Sequence, residues 1–111
     1  MSDRLLRINE AIREVLSKEI LELDDPRIGF VTITSVRAVQ DLRQAKVYYT
    51  VLGTEDQREA TRLALKASQN LLQRAIGRNV KMHHTPVLQF IYDDTIDTAL
   101  RIDQLLRDTE A

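Results

Sequence analysis

The chain has 111 residues, 43% of them hydrophobic, and its 16 basic and 17 acidic side chains leave a net charge of −1, which is material for one domain with one core. With no cysteine, disulfides, thiolate nucleophiles and cysteine-ligated zinc are excluded, and the composition fits a reducing cytoplasm. No apolar run approaches the ~20 residues of a membrane span, and the charged N-terminus MSDRLLRINEAIREV has no signal-peptide core, so a soluble, cytosolic protein is expected.

From about Asp3 to Leu23 apolar residues recur at Leu5, Ile8, Ile12, Leu16, Ile20 and Leu23, in steps of three and four that define one face of a helix. Asp24-Asp25-Pro26 ends it, because proline cannot donate to the helical ladder and biases the residue before it towards extended backbone. Phe30 to Val39 is rich in β-branched residues, but its apolar positions change phase between Ile33 and Val36, which predicts a β-bulge near Ser35. After a short connection from Gln40 to Arg43, Ala45, Val47, Tyr49 and Val51 alternate with polar residues in a second strand, expected to pair with the first as an antiparallel hairpin. Tyr48 and Tyr49 must then face opposite sides of the sheet.

Gly53 breaks this strand, and Thr54-Glu55-Asp56-Gln57 matches a capping box that starts a helix. Ala60, Leu63, Ala64, Ala67 and Leu71 are its expected buried face, with Arg58, Arg62, Lys66 and Gln73 outside. The pattern falters at Ser68-Gln69-Asn70 and resumes at Leu71, Leu72, Ala75 and Ile76, which predicts a kink and a shorter second helix capped by Gly77. Asn79 to Tyr92 reads as a third strand in two pieces around Pro86, parallel to the second strand because a crossover connects them. Asp93-Asp94-Thr95 can cap a last helix containing Ile96, Ala99, Leu100, Leu105 and Leu106.

Charge is unevenly spread. From Arg58 to Phe90 six basic side chains (Arg58, Arg62, Lys66, Arg74, Arg78 and Lys81) face the single acid Glu59, a local +5 in a chain of −1. A basic stripe on an otherwise acidic body suits a polyanion, the alternative being a solvated helix face. We assign phosphate contacts to Lys66, Arg74, Arg78 and Lys81, and base or sugar contacts to Asn70, His83 and His84. His83 and His84, adjacent on a predicted strand, point to opposite faces and cannot share a metal; Asp93, Asp94 and Asp97 are accounted for by the dipole of the helix they begin. No Walker A sequence, dinucleotide glycine pattern, GxSxG elbow or HExxH helix occurs, so neither an enzyme nor a cofactor is expected.

The αββααβ order resembles a type II KH domain. Four motifs occur in sequence: Arg7-Ile8 with Ile12, Leu16 and Ile20; Asp25-Pro26-Arg27 followed by ITSV; Asp41-Leu42-Arg43 leading to AKVYYTVLG; and Gly77-Arg78-x-Val80-Lys81 with Thr85-Pro86-x-Leu88-x-Phe90 and Tyr92-Asp93. Together they resemble the motifs of the ribosome-binding factor A family. The resemblance implies an α+β fold, a kinked helix pair on a three-stranded mixed sheet in a KH-like domain at 1–92, with a helical extension at 93–111. It also implies a non-enzymatic, monomeric factor that binds the free, immature 30S subunit through 16S rRNA, assisting rRNA processing and cold adaptation. The family's Ala-x-Gly kink is replaced here by Ser68-Gln69-Asn70, where asparagine is the non-glycine residue that best tolerates a left-handed conformation. A second hypothesis is an interaction module that docks a protein partner through its sheet or first helix, without RNA contact.

Overall fold

The three- and four-residue spacing of apolar side chains in the N-terminal segment produces helix α1, Asp3–Glu22, with Ile8, Ile12, Leu16 and Ile20 buried along one stripe. In this computed structural model residues 3–39 and 41–110 are described, with the backbone alone for 96–98 and 110. Gln40, at the start of the predicted connection, and the side chains of Ile96 and Asp97 lie outside the described residues. Beyond α1 the chain turns at Asp25, whose carboxylate accepts from the Arg27 backbone N–H at 3.0 Å and from its guanidinium at 2.8 Å.

Strands β1, Phe30–Ala38, and β2, Gln44–Leu52, pair antiparallel, and the register slips between Ile33 and Ser35. The extra residue is Thr34, which explains the phase change in the apolar pattern. Its hydroxyl donates to the Asp93 carboxylate at 2.8 Å, so the bulge also holds the far end of the last strand. That strand, β3, Val87–Tyr92, runs parallel to β2, and the sheet order is β1-β2-β3. Helices α2, Glu55–Ala67, and α3, Gln69–Asn79, make the crossover, and α4, Thr95–Glu110, follows. This is the α+β, type II KH-like order expected from the sequence.

Helices α1 to α3 cover one face of the sheet, burying Ile33, Val36, Val47, Tyr49 and Leu88 against Leu16, Leu65, Leu72 and Ile76. The other face presents Thr32, Arg37, Lys46 and Gln89 to solvent. The described side chains of α4 are exposed, and among the described residues it packs extensively on no other element. The radius of gyration, 16.0 Å, accordingly exceeds the ~13 Å expected for a compact chain of this size.

Four local expectations need correction. The buried face of α2 is Thr61, Ala64 and Leu65, while Leu63 is 43% exposed and Ala67 and Leu71 are also exposed. The face is rotated because the Thr61 hydroxyl is needed inside: it accepts from the Gly29 N–H and donates to the Arg27 carbonyl, both at 3.3 Å, tying α2 to the turn after α1. The same rotation turns Arg58 inward, with its guanidinium 5.0 Å from the centre of the Tyr92 ring. Gly77 lies inside α3 and caps nothing: the helix continues to Asn79, whose side-chain amide donates to the Ala75 carbonyl at 2.7 Å. Consequently residues 80–86 form a loop, β3 starts only at Val87, and His83 and His84 stand exposed in that loop, so the alternation of a strand does not govern them.

Candidate nucleic-acid interface

The site is built on the break between α2 and α3. Upstream, Gly53 at φ +152° leads into the capping box, where the Gln57 N–H donates to the Thr54 hydroxyl and the Gln57 side-chain oxygen accepts from the Thr54 N–H at 2.7 Å. A Cβ on Gly53 would stand 2.1 Å from that oxygen, so glycine is required. Downstream, a single residue, Ser68, leaves helical geometry at φ −92°, ψ 2°. Its N–H still donates to Ala64 and its carbonyl still accepts from Leu72, so the chain bends without orphaning those groups. Gln69 and Asn70 are already the first residues of α3, and the expected left-handed tolerance of Asn70 is not used. Among the described residues the one non-glycine at positive φ is Leu42, at 60°, in the turn between β1 and β2.

What fixes α3 against the sheet is a pair of glutamines: Gln69, read from the sequence only as part of the kink, and Gln73, expected on the outer side but half-buried against β3. β3 is an outer strand, and its outward backbone groups need partners. At Leu88 they find them: the Gln69 side-chain amide donates to the carbonyl at 2.8 Å, and the Leu88 N–H donates to the Gln73 oxygen at 3.0 Å, the two amides being joined at 3.1 Å. The only available signal was the i,i+4 spacing of two polar residues on a helix that also carries apolar ones. With that side of α3 held on β3, Asn70, Arg74 and Arg78 stand exposed at i, i+4 and i+8, a row roughly 12 Å long.

The loop of residues 80–86 is seated on the same helix. Val80 and Pro86 are buried at its two ends, and Thr85 lies against Gly77 so closely that a Cβ there would meet the Thr85 hydroxyl at 2.8 Å. Asn70, Gln73, Arg74 and Thr85 line a groove of about 490 Å³. The structure thus brings Asn70 and Arg74 together, with Arg78 one turn further on. Lys81, His83 and His84 are exposed on the adjoining loop, and Lys66 lies across the bend in the last turn of α2. Gln73 and Thr85 are the groove residues that sequence reasoning missed.

The six basic side chains of this stretch divide into two groups. Arg62 is neutralised by Glu59, with guanidinium–carboxylate contacts of 2.6 and 2.9 Å, and this partner holds the Glu59 carboxyl below its ordinary range. Arg58 is turned onto Tyr92, next to the Tyr49 phenol, whose pKa burial pushes up. Among the described residues Lys66, Arg74, Arg78 and Lys81 have neither ion pair nor side-chain hydrogen bond, and all four are exposed. These are donors without a carboxylate to compete with an incoming phosphate, arranged beside two amides and two imidazoles. Among the described residues no three His, Asp or Glu side chains are grouped to hold a metal, and no helix is long and apolar enough to cross a membrane.

Three comparisons place this geometry. The family model described as ribosome-binding factor A matches residues 4–106. A ribosome-binding factor A from Geobacter sulfurreducens is 42% identical over 111 residues, covering 99% of this chain and 94% of that protein. Among solved structures, the crystal structure of ribosome-binding factor A from Thermus thermophilus superposes with a TM-score of 0.72 at 28% identity, covering 79% of this chain and 93% of that one. A homology model of the Thermus thermophilus factor, fitted into the cryo-EM map of a 30S complex, gives 0.64 at 28% identity over 85% and 96% of the two chains. The run Gly77-Arg78-x-Val80-Lys81 with Thr85-Pro86-x-Leu88, which carries much of the sequence resemblance, is one packing unit here: the helix end, the residue seated on it and the strand it leads to. The chain belongs to the ribosome-binding factor A family.

Proposed function

We propose that this protein is a ribosome assembly factor that binds the free, immature 30S subunit in the cytoplasm by gripping 16S rRNA along α3 and the 80–86 loop. Lys66, Arg74, Arg78 and Lys81 meet phosphates, and Asn70, His83 and His84 meet bases or sugars. The factor works as a monomer by occupancy and stabilisation, with no bond made or broken, and so assists late maturation, 16S rRNA processing and growth in the cold. Residues 1–92 form the RNA-binding body and 93–111 a helical extension. The observation that supports this reading best is the division among the basic side chains: Arg62 is ion-paired with Glu59 and Arg58 lies on the Tyr92 ring, while Lys66, Arg74, Arg78 and Lys81 are exposed and unpaired, with Arg74 lining the groove of α3.

The test is a salt titration of binding to 16S rRNA. Each neutralised phosphate releases counterions, so four contacts give a log–log slope near −3, at about −0.7 per contact on single strands. Arg78→Ala combined with Lys81→Ala is expected to flatten the slope by roughly 1.4 and to weaken binding to many sequences alike. Its melting curve should stay in place, since exposed charges contribute within about 0.5 kcal/mol. An unchanged slope with an intact melt would remove these residues from the interface.

A further inference from the structure

The three most exposed large apolar side chains among the described residues are Leu21, Phe30 and Leu52, at 84%, 80% and 79%. They come from α1, β1 and β2 and stand at one end of the fold. Phe30 and Leu52 are cross-strand partners, and Leu21 and Phe30 flank one groove of about 270 Å³ whose other apolar residues are Ile20, Leu23, Ile28 and Val31. This end is opposite the basic loop, because β2 and β3 run parallel from the 80–86 side, where the Val87 N–H donates to the Arg43 carbonyl, towards Leu52 and Tyr92.

The electrostatics of this end are inverted relative to the RNA face. The C-terminus of a helix carries partial negative charge and favours cations in its last turn. The last turn of α1 contains no basic residue. Glu19 and Glu22 stand there instead, followed by Asp24 and Asp25, and Glu55 and Asp56 follow Leu52. Of the cations on the flanking elements, Arg27 is held by Asp25 at 2.8 Å, Arg62 is paired with Glu59 at 2.6 Å, Arg58 is turned onto the Tyr92 ring, and Lys18 lies a turn back. Carboxylates and a helix C-terminus around exposed leucine and phenylalanine repel a nucleic acid, and a second copy presenting the same end repels it too. They attract a positively charged chain that brings its own apolar side chain. β1 is also an outer strand of the sheet, the geometry that receives an extended segment.

We infer that the Leu21–Phe30–Leu52 end docks an extended, lysine- and arginine-rich polypeptide segment, inserting one large apolar side chain into the groove between α1 and β1. The factor then has two poles with different partners: a basic one for RNA and an acidic, apolar one for a cationic protein chain. The inference rests on the proposed small-subunit function only for the choice of probe.

The experiment places the photo-reactive residue benzoylphenylalanine at Phe30 of the full-length chain. The protein is illuminated with the mixed proteins extracted from 30S subunits, freed of rRNA, and the adducts are mapped by mass spectrometry. The expected result is a selective adduct to a basic segment of one protein, reduced at least tenfold by Leu21→Glu with Leu52→Glu in a variant whose melt is unchanged. No adduct, equal adducts to every protein, an adduct to a second copy, or attachment at a segment without basic residues overturns the inference. The same labelled protein is carried through the rRNA salt titration. A slope near −3 without a selective adduct sinks the docking site alone, and a selective adduct without salt-dependent RNA binding sinks the RNA reading alone.

Discussion

Gly77 and Thr85 give the sharpest test of how α3 holds the 80–86 loop. Inside a helix glycine is less favourable than alanine by about 0.8–1.0 kcal/mol, so Gly77→Ala should stabilise the protein if nothing opposes it. What opposes it is one atom: the new Cβ would stand 2.8 Å from the Thr85 hydroxyl, whereas its next neighbour, the Thr85 Cβ, is at an ordinary 4.0 Å. To clear the contact Thr85 must leave its rotamer or the loop must lift, at about 1 kcal/mol or more. Gly77→Ala in the wild-type background is therefore expected to be neutral or destabilising. In a Thr85→Ala background the obstruction is gone, and the same change should stabilise by about 1 kcal/mol. The coupling energy between the two positions is then at least ~1 kcal/mol, read from urea denaturation midpoints of the four proteins at constant m-value. Because Lys81, His83 and His84 ride on this loop, the single variant Gly77→Ala should also bind 16S rRNA more weakly than the double variant. Equal stabilisation by Gly77→Ala in both backgrounds would refute the argument that glycine is retained for the Thr85 contact.

Three further outcomes follow from the geometry. Gln73→Leu removes the acceptor for the Leu88 N–H on the outer edge of β3 and should cost about 1 kcal/mol in chemical denaturation, since an unmade hydrogen bond at a half-buried site is replaced only partly by water; no loss would mean that the glutamine pair does not hold α3. Deleting 96–111, which keeps the Thr95 contacts to Asp93, should shift stability by no more than about 0.5 kcal/mol, because α4 packs extensively on no other described element; a large drop in melting temperature would show that the extension belongs to the folded body. The Asp93 carboxyl, held below its ordinary value of 3.8 by the Thr95 hydroxyl first, then by the Thr34 hydroxyl and the Thr95 N–H, contributes stability that is complete above that value. This contribution is lost as pH falls through the depressed one. Asp93→Asn should therefore flatten the acid limb of stability against pH, and an NMR titration of Asp93 with a midpoint at or above 3.8 would contradict the contacts.

What the sequence determined by itself is whatever depends on neighbours within a turn of helix or a few residues of strand. The α1 stripe of Ile8, Ile12, Leu16 and Ile20, the bulge beside Ser35, the Thr54–Gln57 cap and the break at Ser68 were all legible, because period, phase and capping chemistry are local properties. The identity of the family was legible for a related reason, since its motifs are short runs in a fixed order. What only the tertiary structure decided is which distant residue each side chain meets. Gly77 looked like a helix cap, and its real constraint is Thr85, eight residues on, pressing where a Cβ would be. Thr61 formed no part of the apolar pattern, and it is buried because the turn at Arg27 and Gly29 needs its hydroxyl. Gln69 and Gln73 became an edge clamp only when β3 arrived beside them. The six basic side chains of the stretch are equivalent in sequence, and folding divided them by giving Arg62 a carboxylate and Arg58 an aromatic ring while leaving Lys66, Arg74, Arg78 and Lys81 exposed. Local patterns decide which face of an element is apolar, and long-range packing decides which polar groups on the other faces are already satisfied and which remain free to bind.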